Sequence, residues 1–115
     1  MPKFIFSYRA AKHINGTADP DALAAWRRFL SEVVGASVVD PGWPVFEPAT
    51  HLGETGHSTQ LGGYSIVSAD DLETALSMAR ECPTLTRQGG VEVGLLADLP
   101  VEHPAEQLRS RPATH

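Results

Sequence analysis

Lys3-Phe4-Ile5-Phe6-Ser7-Tyr8-Arg9 is the stretch that decides the fold class of this chain. In an extended backbone Phe4, Phe6 and Tyr8 fall on one side, and Ile5, Ser7 and Arg9 on the other. That period of two belongs to a strand with one face against a core. The residues that follow, Ala10 to Asp19, are small and polar and contain the turn signal Asn15-Gly16. Asp19-Pro20 then offers an N-cap acceptor followed by proline at the first helical position. Leu23, Trp26, Leu30 and Val33 recur at helical steps, and Gly35 suits the left-handed position after a helix. The spacing predicts a helix over Pro20 to Val34.

Further along, Ser37 to Val39 is short and β-branched and reads as a second strand, ended by Pro41-Gly42-Trp43-Pro44. The stretch from there to Gln60 is expected to be a long loop, with Thr50-His51-Leu52 as a short extended piece. Loops of that length often carry function. Gly63 to Val67 reads as a third strand, and Asp70 with Glu73 resembles a capping box. Leu72, Ala75, Leu76 and Ala79 make an apolar stripe before Pro83, predicting a second helix over Asp71 to Glu81. After Gln88-Gly89-Gly90, the residues Val91, Val93 and Leu95 alternate with Glu92 and Gly94 as a fourth strand.

The resulting β-α-β-β-α-β order predicts an α+β fold, a ferredoxin-like βαββαβ sandwich with an antiparallel four-stranded sheet, strands one and three central. Two helices cover one sheet face only, and this reading turns Ile5, Val67 and Leu96 toward the other. A second copy of the chain, a homodimer through the sheet face, is expected to cover it. At 115 residues, one domain is expected over 1–97, with 98–115 as a tail, flexible or wrapping the partner.

Composition narrows the function classes. With 42% hydrophobic and 20% charged residues the chain is globular in kind. A net charge of -5 and the lack of any Lys/Arg run argue against nucleic acid as a partner. A lone cysteine, Cys82, excludes an internal disulfide and a Cys-based zinc cluster. Neither a signal-like start nor a span of about 20 apolar residues is present, so a soluble cytoplasmic protein with no membrane partner is expected.

Several stretches resemble the YCII-related family, in its larger actinobacterial branch and the neighbouring DGPF-type proteins. They are Met1-Pro2-Lys3-Phe4-Ile5-Phe6, Ala24-Ala25-Trp26, the run Gly35-Ala36-Ser37-Val38-Val39-Asp40-Pro41-Gly42-Trp43-Pro44-Val45, and Gly63-Tyr64-Ser65-Ile66-Val67 with Ala69-Asp70-Asp71-Leu72. Ala79-Arg80-Glu81-Cys82-Pro83 and Gly89-Gly90-Val91-Glu92-Val93 complete the set. The resemblance implies a dimeric α+β barrel and, where catalysis is suspected, cofactor-independent proton transfer or elimination on small ring compounds. Two departures stand out. The DGPF signature is replaced by Gly56-His57-Ser58-Thr59-Gln60-Leu61, and the first helix has no histidine of the kind proposed for a family acid/base dyad.

Acid/base chemistry needs a proton-exchanging group within hydrogen-bond reach of a substrate. Asp40, ending the second strand before a rigid Pro-Gly turn, is the candidate base, with His13 or Tyr8 as donor to a developing oxyanion. The alternative for Asp40 is a turn cap that bonds its own backbone. Trp26, Trp43, His51 and Tyr64 are candidate ligand-binding residues suited to a flat apolar or aromatic molecule, although Trp26 and Tyr64 equally suit core positions. His51 and His57 are weakly spaced as metal ligands; neither a metal nor a cofactor is expected. Two functions follow: an isomerase, dehydratase or dehydrohalogenase acting on a small aromatic or lactone-like molecule, or a non-catalytic dimeric binding or interaction module.

Overall fold

The computed structural model describes residues 1–11, 20–45, 47–56 and 58–97. Strand β1 spans Lys3–Ala11, and helix α1 spans Pro20–Arg28. Strand β2 is Val38–Asp40, β3 is Thr59–Ser68, helix α2 is Leu72–Ala79 and β4 is Gly90–Leu95. The four strands form one antiparallel sheet in the order β2-β3-β1-β4, with β1 and β3 central. The chain is therefore α+β, with two α-helices and an open four-stranded sheet. The Asn15-Gly16 turn, the Asp19 cap and the tail 98–115 lie outside the described residues, as do His13, His57, His103 and His115.

Alternation in β1 is realised as the sequence requires: Phe4, Phe6 and Tyr8 are buried, while Ile5, Ser7 and Arg9 are half-buried. Phe4, Phe6 and Tyr8 meet Phe29 and Val34 from the end of the first helix, Val67 from β3, and Ala75 and Ala79 from α2. Small residues on α2 let that helix approach the sheet closely, and aromatic side chains from β1 fill the space between.

Several expectations are corrected by register. Val67 lies opposite Phe4, so it faces the helices and is completely buried; its neighbour Ile66, opposite Ile5, takes the place on the uncovered face. Directly opposed residues share a face, so a one-residue error in reading a strand exchanges its two sides. β2 runs one residue later than predicted, and β3 begins four residues earlier, at Thr59. Thr50-His51-Leu52 forms no strand. In α2 the cap is Asp71 rather than Asp70: its carboxylate accepts from the Thr74 backbone N–H at 2.8 Å and from the Thr74 hydroxyl at 2.7 Å. Leu72, expected on the apolar stripe, is 51% exposed.

The first helix also departs from a simple stripe. After Arg28 it widens into a π-helical turn over Phe29–Val33, closed by the Val34 N–H donating to the Phe29 carbonyl at 3.0 Å. A π turn holds an extra residue, so side chains five apart can share a face. Phe29 and Val34 are both fully buried as a result, whereas Leu23 is 44% exposed.

Candidate functional site

Asp40 ends β2 at the edge of the sheet, where a bulge against β3 brings it opposite Ile66. One carboxylate oxygen, Oδ1, accepts from the Gly42 backbone N–H at 2.9 Å; Oδ2 accepts from the Tyr64 hydroxyl at 3.4 Å. The first bond is the turn-capping contact weighed for Asp before Pro-Gly. Gly42 has a φ of +74°, and a Cβ there would lie 1.7 Å from the Tyr64 carbonyl oxygen. No other residue fits this contact, so the Pro41-Gly42 turn is pressed directly onto β3.

A second chain of bonds holds the same turn from inside. The Tyr8 hydroxyl donates to Ser65 Oγ at 2.8 Å, and Ser65 Oγ donates to the Pro41 carbonyl at 2.7 Å. Ser65 is fully buried and every buried side-chain polar atom among the described residues has a partner. Burial pushes the Tyr8 phenol up to about 12, only partly opposed by its bond to Ser65. The Tyr8 ring stands edge-on to Trp26, with centroids 4.7 Å apart, and to Phe29 at 6.3 Å. Tyr8 and Trp26 thus belong to the helix-covered core, and the Tyr8 proton is engaged there.

The structure therefore brings Asp40 and Tyr64 together and sets Tyr8 apart from them, since Tyr64, opposite Ser7, lies on the uncovered side of the sheet. Beyond the turn, Trp43 is 77% exposed, and the chain stays joined to β3 through the Pro44–Gly63 bridge and the Val45 N–H bond to the Gly62 carbonyl. Half-buried His51 bonds through Nδ1 to the Thr55 hydroxyl, away from any strand. Among the described residues no group of three or more His, Cys, Asp or Glu side chains is placed to hold a metal ion.

Ser65 and Arg9 were absent from the sequence-based candidates. Ser65 becomes visible only once register sets it beside Phe6 and under Tyr8. Arg9 was visible by alternation, as a charged residue on the face shared with Ile5. Cys82 is buried at the start of a short 3₁₀ turn, Pro83–Thr86, with its sulfur 3.1 Å from the Thr84 hydroxyl, and burial raises its thiol. It is a packed spacer. No family model, no curated protein and no solved structure matches this chain. None of the helices among the described residues is long and apolar enough to cross a membrane.

Proposed function

We propose that this chain is a ferredoxin-like protomer, resembling the YCII-related proteins, that pairs with a second copy through its uncovered sheet face into a dimeric α+β barrel. Its role in that form is to bind a small apolar or aromatic molecule at the sheet edge rather than to transform it. One observation supports this preference: of the two candidate donors, Tyr8 spends its proton on Ser65 inside the core and His13 lies outside the described residues, while the candidate base Asp40 caps its own turn. A base and donor that act together on one substrate must both reach it. What the edge retains for recognition is the Tyr64 hydroxyl with the second Asp40 oxygen and, just after the same turn, the exposed Trp43 side chain.

The pairing rests on apolar side chains left on the uncovered face. Ile5 and Ile66 sit opposite one another at its centre, half-buried, with Leu61 and Leu96 also exposed there. Two identical faces of this kind are self-complementary about a two-fold axis, which makes a second copy the simplest occupant. A cytoplasmic site of action goes with this reading.

The test is a thermal-stabilisation screen of small aromatic and lactone-like compounds, with each stabilising compound recovered afterwards and assayed for change. A ligand that binds only the folded state raises the melting temperature by mass action. The expected result is stabilisation, with the compound recovered intact and the effect reduced in Trp43→Ala. Conversion of the compound that stops in Asp40→Asn would instead favour the isomerase or dehydratase reading.

A further inference from the structure

Arg9 lies near the far end of β1 on the uncovered face, directly opposite Gly90 of β4. Its guanidinium is turned toward β3: Nε donates to Thr59 Oγ1 at 3.1 Å, and Nη2 donates to the Thr59 carbonyl at 2.9 Å. Those bonds occupy part of a five-donor fork and hold it in one orientation. Among the described residues no carboxylate lies within ion-pair distance of Arg9, and the residue is half-buried. A cation withdrawn from water in this way gains most from an oxyanion that reaches its remaining donors.

The space in front of Arg9 is a groove of about 320 Å³, lined also by Thr55, Thr59, Gly90 and Glu92. Such a volume is at the small end of what small-molecule sites enclose, commonly about 300 to 1,000 Å³. Gly90 adds no side chain to it, and a Cβ there would stand in open space with no atom within 4 Å. Glu92 faces the groove from β4, on the strand opposite to the one toward which Arg9 leans. A bare dianion would be repelled by that carboxylate, whereas a ligand with a donor beside its own carboxylate satisfies both groups.

We propose that this groove is a binding site for a small carboxylic acid carrying an adjacent hydroxyl, its carboxylate on Arg9 and its hydroxyl donating to Glu92. The site is separate from the Asp40 edge, which lies across β3 on β2, but it opens at the Arg9–Leu61 end of the same uncovered face through which pairing is proposed.

Amide and Arg Nε–H NMR shifts of the full chain, titrated with sodium L-lactate at fixed ionic strength, test it, with acetate and inorganic phosphate as comparison probes. Saturable shifts confined to Arg9, Thr59 and the Gly89–Glu92 stretch are expected, with lactate binding tighter than either comparison anion. Arg9→Gln should weaken lactate at least tenfold, and Glu92→Ala, which removes the acceptor for the hydroxyl, should erase the preference of lactate over acetate. Gly90→Val, which puts a branched side chain into the groove directly opposite Arg9, should weaken lactate likewise while leaving shifts elsewhere in the spectrum in place. The proposal is overturned by unsaturable or scattered shifts, by unchanged lactate binding in both Arg9→Gln and Gly90→Val, or by phosphate binding as tightly as lactate.

Discussion

Tyr8 concentrates the physics of this molecule in one side chain. Its ring fills core against Trp26 and Phe29, and its hydroxyl begins the relay through Ser65 to the Pro41 carbonyl. Removing that hydroxyl leaves Ser65 with one bond fewer, so Tyr8→Phe should lower stability by about 1 kcal/mol near neutral pH, read from urea unfolding. The same variant should differ from the parent at high pH. Burial raises the phenol from 10.0 to about 12, so its stabilising contribution is fully present below 10.0 and is lost as pH climbs through about 12. A rise of two pKa steps corresponds to about 3 kcal/mol over the whole window. The parent should therefore lose stability between those limits more steeply than Tyr8→Phe; equal slopes in urea melts at pH 9, 10 and 11 would contradict the assignment.

At the level of elements, capping and register decide what sequence patterning can and cannot anticipate. β1 is legible because three aromatic residues at a period of two leave no other choice of inward face. The later strands carry shorter, mixed patterns, and there the identity of the inward residue depends on which partner lies opposite. Val67 and Ile66 are equally apolar neighbours, and only pairing with Phe4 and Ile5 separates them. The π turn is hidden for a similar reason: Leu30 and Val33 continue a helical stripe on paper, and the gain from burying Phe29 together with Val34 appears only against the sheet. For the site, Asp40 was readable as a turn residue because Pro41-Gly42 follows it, but its approach to Tyr64 required the third dimension. Asp70 and Asp71 were indistinguishable as caps by composition, and the side-chain bonds to Thr74 single out Asp71. Those bonds hold the Asp71 carboxyl below the usual aspartate range. Its contribution should accordingly be present at neutral pH and fade as the solution is acidified through that lowered value. Asp71→Ala is expected to melt at a lower temperature than the parent at pH 7, with Asp71→Asn in between and Asp70→Ala nearly unchanged, as scanning calorimetry would show.

Taken as a whole, the molecule is a sheet with helices on one side and, among the described residues, none on the other. Both helices pack over Phe4, Phe6 and Tyr8, and nothing among the described residues covers Ile5 and Ile66. A glutamate at position 66 would put charge into the centre of a sheet-to-sheet contact while remaining tolerable on a solvated face. Ile66→Glu should thus convert a two-chain particle into a one-chain particle by light scattering, with its circular dichroism preserved. A parent protein that already scatters as one chain would remove the pairing from the proposed function. The central position of β1 has a further meaning, in time rather than in space. Both strands that flank it, β3 and β4, are encoded far downstream, from Thr59 and Gly90 onward. With synthesis at roughly 5–20 residues per second, the backbone edges of β1 wait seconds for their first strand partner, after the first helix that packs on its aromatic face has already been made. The stretch that most firmly determines the native architecture is therefore also one whose strand edges stay unpaired until the second half of the described chain has been made.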